Sequence, residues 1–122
     1  VTAIWLARQG LAPKDIRERI QKDFGYDLSR SVDEIRPGYR FNETCQDTVP
    51  QAIVSALEAI SFEDAIRNAV SLGGDADTLA AIAGPIAEVR FGIPEEIRRK
   101  GLLRLPKDMR AVLERLYANA GD

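Results

Sequence analysis

The sequence predicts an all-α protein, and three observations support that class. Apolar residues recur at helical spacings of three and four along most of the 122 residues. Glycine and proline interrupt the chain at intervals that suit helices of ordinary length. The alternation of Tyr39 and Phe41 resembles a short strand, but one such segment cannot form a sheet.

The helices of the first half can be placed from their start and stop residues. A first helix covers Ala3 to Gln9, and a second begins at Pro13 and ends at Gly25. Ser31 and Glu34 form a capping-box pair, which predicts a brief third helix. The spacing of four residues predicts a buried face on the second helix, formed by Ile16, Ile20 and Phe24.

Two apolar helices follow an irregular segment. Thr48 and Gln51 match a second capping box, and Ser61 is placed to cap the next helix. The predicted buried face of the first of these helices comprises Ala52, Ile53, Ala56, Leu57 and Ile60. The predicted inward face of the second comprises Phe62, Ala65, Ile66, Ala69, Val70 and Leu72.

The last part of the chain predicts three more helices. One rich in alanine and glycine runs from about Thr78 to Phe91, and Pro85 should kink it or leave one carbonyl unpaired. Pro94 and Pro106 then begin the last two.

Composition restricts the chemistry more than it restricts the fold. The chain has no histidine, which excludes a histidine general base, a Ser-His-Asp arrangement and a histidine-containing zinc site within it. One cysteine cannot form an internal disulfide, and we predict a cytoplasmic location. A net charge of −2 and the lack of long apolar runs predict neither nucleic-acid nor membrane binding. Chemistry would therefore depend on carboxylates, hydroxyls and a hard metal ion.

The segment Ser71 to Thr78 carries the strongest chemical signal. Gly73 and Gly74 permit a sharp turn after one helix, and Asp75, Asp77 and Thr78 follow where the next begins. An extended or turn conformation would place both carboxylates on one side, close enough to share a cation. Oxygen ligands with two negative charges suit Mg²⁺, Mn²⁺ or Ca²⁺.

The same segment has an ordinary structural explanation. Aspartate is a favoured N-cap, and acids in a first turn are stabilised by the helix dipole. A Gly-Gly-Asp junction between two helices therefore needs no ligand, although two acids exceed what one cap requires.

At this segment the chain resembles the ADP-ribosylglycohydrolase family, which includes the glycohydrolase that reactivates dinitrogenase reductase. The likeness begins with the Gly-Gly-Asp-Ala-Asp-Thr run at 73–78 and continues into Ala80-Ala81-Ile82. It extends to Phe62-Glu63-Asp64, Thr48-Val49-Pro50 and Gly25-Tyr26-Asp27, and covers most of the chain from about Tyr26 to Gly92.

The resemblance implies an all-helical fold around a two-magnesium site, with Mn²⁺ as a substitute. Asp75, Asp77 and Thr78 match the family's C-terminal metal ligands. It also implies cleavage of the glycosidic bond between ADP-ribose and an acceptor, so the expected partner is an ADP-ribosylated protein or a small ADP-ribose conjugate. Gly74, Asn42 and Thr48 are candidate substrate-binding residues, the last two because an irregular polar loop from Asn42 to Thr48 suits a binding loop.

The chain departs from the family pattern in one major respect. The family's N-terminal half supplies a Thr-Asp-Asp triplet, and neither Thr-Asp-Asp nor Ser-Asp-Asp occurs here. Residues 1–122 therefore resemble the C-terminal part of a single domain, for which the N-terminal part would be the partner. We expect weak metal binding and negligible catalysis by this part alone.

Two other interpretations remain open at this stage. The chain could be a non-catalytic helical scaffold or interaction protein that retains the fold, or a small protein that completes its site with a partner chain. Tyr39 and Phe41 could stack on a base, although core anchoring is commoner for aromatic residues beside turns. Cys45 is expected to be buried or half-buried without a role, and Trp5 to pack against the remainder of the domain.

Overall fold

The computed structural model describes residues 1–120, and within that range it consists of helices and irregular connections. The helices are α1 (Thr2–Arg8), α2 (Pro13–Phe24), α3 (Val32–Ile35), α4 (Val49–Glu58), α5 (Phe62–Ser71), α6 (Ala76–Phe91), α7 (Glu95–Leu103) and α8 (Lys107–Ala120). A 3-10 turn at Arg36–Gly38 follows α3 directly. The all-α class is therefore confirmed for the described part of the chain.

The chain divides into two compact units. The first comprises Val1–Gly92 and contains the buried core. The second begins at Ile93 and contains α7 and α8, neither of which has a buried residue. Within the second unit, the guanidinium of Arg98 lies over the ring of Tyr117, 5.3 Å from its centroid. Across residues 1–120, every helix is too short or too polar to cross a lipid bilayer.

Helix α6 forms the centre of the first unit and packs against α1, α4 and α5. Its inward stripe of buried residues follows the helical period and consists of Leu79, Ala83, Ile86 and Ala87. Small alanine side chains allow the neighbouring helices to approach closely. Pro85 lies on the exposed side of α6, and the helix continues through it. Proline has no N–H, so the carbonyl of Ala81 has no helical partner. Ala81 is itself exposed to water.

Three predicted helix boundaries are confirmed, because their predicted capping residues are present in the structure. Ser31 and Glu34 form both hydrogen bonds of a capping box at the start of α3. The Ser61 side chain accepts a hydrogen bond from the Asp64 N–H, 3.0 Å away. Gly25 ends α2 with a φ of 69°, the left-handed conformation that glycine adopts without a steric penalty.

The predicted capping box at Thr48 and Gln51 is wrong. Thr48 has φ −123° and ψ −52°, whereas a capping residue is extended, and its side chain makes no cap hydrogen bond. Its hydroxyl instead donates to the Asn42 carbonyl at 3.2 Å. The turn from Cys45 to Val49 causes the difference, because the Val49 N–H donates to the Cys45 carbonyl and bends the chain before α4 begins.

Several predicted burial positions are also wrong. Ile60 is 86% exposed because α4 ends at Glu58 and Ala59 is extended. Ile60 therefore lies outside the helix and does not share its buried face. Val70 is half-exposed because the buried stripe of α5 is narrower than predicted. Phe24 is also half-exposed in the last turn of α2, and Cys45 is exposed. In the described chain Tyr39 and Phe41 lie in an irregular segment, not a strand.

Arg90 on α6 makes polar contacts with the C-terminal end of α4. Its guanidinium donates to the carbonyls of Leu57 at 3.1 Å and Ala59 at 3.4 Å, and also to that of Ala56. The last carbonyls of a helix have no partners within it, and a charged donor can satisfy them. Arg90 therefore joins the end of α4 to α6.

Replacing Arg90 with methionine should lower the free energy of unfolding by about 1.5–3 kcal/mol, the usual contribution of a hydrogen bond to a charged group. Urea unfolding measures the change. The matched control is Arg67→Met, because within residues 1–120 Arg67 pairs only with the exposed Glu63 and should contribute less than about 1 kcal/mol. Equal losses in the two variants would contradict the role of Arg90.

Candidate metal-binding site

The three predicted metal ligands follow the turn between α5 and α6. Gly73 and Gly74 have φ values of 76° and 60°, so the chain reverses in a conformation that other residues rarely adopt. Asp75 stands at the N-cap position of α6, and Asp77 and Thr78 lie in its first turn. The three predicted metal ligands therefore lie within four residues at the start of α6, where Asp77 and Thr78 are exposed and Asp75 is partly buried.

Asp75 does not act as a helix cap. Its φ of −82° and ψ of 65° differ from the extended backbone of a capping residue, and its side chain makes no cap hydrogen bond. The Thr78 N–H is instead accepted by Oδ1 of the adjacent Asp77, at 3.0 Å. The ordinary structural explanation of the motif therefore fails at Asp75, although it still applies to Asp77 as an acid in a first turn.

Asp75 and Asp77 interact through their side chains. A hydrogen bond with Asp75, for which one of the two carboxyl groups must carry a proton, lowers the pKa of Asp77, and the Thr78 N–H lowers it further. Two carboxylates this close repel each other when both are charged, unless a proton or a cation lies between them. Thr78 follows Asp77 and is exposed, so the segment offers the kinds of oxygen ligand that divalent cations such as Mg²⁺ and Mn²⁺ prefer.

Gly74 is held against the segment from Tyr39 to Phe41. A Cβ at Gly74 would lie 2.9 Å from Cε1 of Tyr39 and 3.3 Å from both the Arg40 carbonyl oxygen and the Phe41 Cα. A side chain here would collide with the Tyr39 ring and crowd the backbone of that segment. The close approach explains the glycine by packing, and its predicted contact with substrate remains a prediction.

Tyr39 links the site to the loop that precedes α4. Its hydroxyl donates to the Asp47 carbonyl at 2.6 Å, and its ring packs at the edge of the core. Burial raises the pKa of Tyr39, and the negative charges of Asp47 and Asp75 raise it further, against the effect of a hydrogen bond with Thr48. The residue therefore acts as a core anchor, whereas Phe41 is 63% exposed and anchors nothing.

Asn42 and Thr48 hold the loop in shape. The Asn42 amide donates to Oδ2 of Asp47 at 3.0 Å, and its Oδ1 accepts from the Thr44 N–H at 2.7 Å. Thr48 is buried and donates to the Asn42 carbonyl. Both side chains therefore have partners inside the loop, and their role towards substrate remains a prediction.

Arg36 is a positioning residue that the sequence pattern did not reveal. Its Nε and Nη2 donate to Oγ of Ser71 at 3.1 and 3.0 Å, and its Nη1 pairs with Asp33 at 2.6 Å. These contacts tie the 3-10 turn to the end of α5, immediately before Gly73. Arginine between a helix and a proline gives no sequence signal of such a contact.

The described residues supply only part of a metal centre. Across residues 1–120 there is no cluster of three or more His, Cys, Asp or Glu side chains that could hold an ion. If Asp75, Asp77 and Thr78 bind a cation, most of its coordination positions would need other ligands.

Comparison with known proteins identifies the family. The ADP-ribosylglycohydrolase family model matches residues 2–122, and the chain belongs to that family. An uncharacterized protein of Archaeoglobus fulgidus is 46% identical over 50 residues, which are 40% of this chain and 16% of that relative. The chain thus matches only a small share of the relative's length. No solved structure is significantly similar to the chain.

Proposed function

We propose that the chain forms part of a magnesium-dependent ADP-ribosylglycohydrolase. The reaction would be hydrolysis of the glycosidic bond between ADP-ribose and an acceptor side chain or small molecule. One observation carries the proposal: Asp75 and Asp77 adjoin at the start of α6, and Asp75 is not used as a cap. Family membership supports the glycohydrolase type of reaction.

The chain's own residues would hold the ion and fix its position. Asp75 and Asp77 would supply charged oxygens and Thr78 a neutral one, on a turn whose two glycines set its direction. When bound, a pair of divalent ions supplies Lewis acidity towards a water and holds substrate oxygens in place. The residues in this arrangement need no histidine, which agrees with the composition.

We place the remaining ligands in an N-terminal part of the same domain, outside these 122 residues. The matched segment covers only 16% of the archaeal relative, which is therefore much longer than that segment. An apolar groove of about 450 Å³ gives that part a surface on which to pack. The groove is lined mainly by residues of α1, α2, α4 and α6, among them Ile4, Phe24, Ile53 and Ile82.

Metal titration tests this division of the site. We expect the 122-residue chain to bind Mg²⁺ and Mn²⁺ weakly in isothermal titration calorimetry, because two carboxylates and one hydroxyl leave most of the coordination to water. The variant with Asp75→Asn and Asp77→Asn should lose that binding. Addition of the N-terminal part should strengthen binding to the native chain and leave the variant unchanged.

The matched control is Asp15→Asn, which removes an exposed acid from the first turn of α2. It should bind metal as the native chain does. Sub-micromolar affinity of the isolated chain for two ions would contradict the proposed division. Equal binding by the native chain and the double variant would contradict the site itself.

A further inference from the structure

One segment, residues 36–41, contacts the turn between α5 and α6 at two points. Its Arg36 side chain is hydrogen-bonded to Ser71, the last residue of α5. Its Tyr39 ring lies against Gly74, which directly precedes the first aspartate of the candidate metal site. The 36–41 segment therefore contacts the chain both immediately before the turn and within it.

Arg36 is held by partners on two different helices. Its Nε and Nη2 donate to Oγ of Ser71 at 3.1 and 3.0 Å, and its Nη1 pairs with Asp33 of α3 at 2.6 Å. Ser71 directs its own proton to the Asn68 carbonyl, 2.8 Å away, so its Oγ presents lone pairs to the guanidinium. These bonds fix the end of α5 relative to α3.

The turn itself has little local rigidity. Gly73 and Gly74 carry no side chains, and a Cβ at Gly73 would meet no atom within 4 Å. Glycine also has access to more backbone conformations than any other residue. Contacts from outside the turn are therefore needed to fix the direction in which the chain reaches Asp75.

We propose that Arg36, although it is a cation, promotes cation binding by positioning the Asp75 and Asp77 carboxylates through Ser71. The inference rests on the proposed function, because it assigns Arg36 a role towards the ion that these carboxylates would hold. With the contact in place, the end of α5 is fixed and the carboxylates keep one arrangement. Without it they would sample several arrangements, and the apparent affinity falls with the fraction of molecules that is competent to bind.

Electrostatics and positioning predict opposite effects for the removal of Arg36. Arg36→Met deletes a positive charge and leaves Asp33 without this partner, so the surroundings of the turn become more negative. By charge alone, a divalent cation should then bind more tightly. By positioning, it should bind more weakly. The sign of the change in affinity therefore separates the two effects.

Titration of the 122-residue chain with Mn²⁺, followed by water-proton relaxation in low-salt buffer, measures this sign. We expect Arg36→Met to weaken Mn²⁺ binding by about 3- to 30-fold, the range for residues that influence a site without touching its ligand. Arg67→Met is the matched control, because it also removes an arginine of an exposed ion pair, and it should not weaken binding. Circular dichroism checks that the variants stay folded. Unchanged or tighter binding by Arg36→Met would overturn the proposal.

Variants of Ser71 show whether Arg36 acts through that hydroxyl group. Ser71→Ala removes the acceptor and should weaken Mn²⁺ binding to the same extent as Arg36→Met. The double variant should bind no more weakly than either single variant, because both changes break the same contact. Ser71→Thr retains the hydroxyl and should bind Mn²⁺ as the native chain does. Additive losses in the double variant would contradict positioning through Ser71.

A metal-free measurement separates this inference from the proposed function. Amide hydrogen exchange reports local opening of the backbone, and the N–H groups of Gly73 and Leu79 bond at the end of α5 and the start of α6. Arg36→Met and Ser71→Ala should both speed exchange at these two groups, whereas Arg67→Met should not. Faster exchange with no Mn²⁺ binding by the native chain would reject the proposed function but support the hold of Arg36 on the turn. Unchanged exchange would overturn the positioning role even if the native chain binds Mn²⁺.

Discussion

Asp75→Ala, in a protein that contains the complete site, is expected to lower kcat/KM for hydrolysis of an ADP-ribosylated substrate by about 100-fold or more. Asp77→Ala should have an effect of the same size. Each change removes one of the two adjacent carboxylates that would hold the ion, and a displaced ion costs several kcal/mol of barrier. Release of ADP-ribose at saturating Mg²⁺ measures the loss, and thermal unfolding monitored by circular dichroism shows whether the fold is retained.

Asp15→Ala is the matched control for these two variants, because Asp15 also lies in the first turn of a helix and is exposed. If Asp77 served only to interact favourably with the dipole of α6, Asp77→Ala and Asp15→Ala would have the same effect. Each would lower the free energy of unfolding by about 0.3–1 kcal/mol and leave turnover intact. We expect this result for Asp15 alone. Unchanged turnover in both the Asp75 and Asp77 variants would rule out the assigned site and favour a non-catalytic scaffold.

The predictable part of this site is local in sequence. Two glycines, two aspartates and a threonine lie within one short run, so the turn and the nearness of the carboxylates follow from backbone geometry over a few residues. The helix ends were predictable for the same reason, since the hydrogen bonds at Ser31 and Ser61 join residues three apart. Local hydrogen bonds leave a pattern that can be read along the chain.

The unpredicted part depends on contacts between distant segments. The approach of Tyr39 to Gly74 and the contact of Arg36 with Ser71 join residues on different elements, and no spacing rule connects them. Thr48 does not cap α4 for a related reason. The turn from Cys45 to Val49 gives Thr48 a backbone conformation that differs from the extended one a capping residue needs. The exposure of Ile60 depends on one extended residue, Ala59, which a helical period cannot anticipate.

Gly74→Ala should lower the free energy of unfolding by about 2–4 kcal/mol, through left-handed backbone strain and overpacking together. The new Cβ would meet Cε1 of Tyr39 at 2.9 Å and backbone atoms of Arg40 and Phe41 at 3.3 Å. The Tyr39 ring cannot swing away freely, because its hydroxyl is bonded to the Asp47 carbonyl. Urea unfolding of the 122-residue chain measures the loss.

Gly73→Ala isolates the contribution of the close approach. Gly73 also has a positive φ, 76°, but a Cβ there would meet nothing within 4 Å, so only backbone strain of about 1–2 kcal/mol is expected. The difference between the two alanine variants therefore measures how firmly the segment from Tyr39 to Phe41 is held against the turn that positions Asp75. Equal losses would show that this segment yields without cost, and Gly74 would then be required only for its backbone conformation.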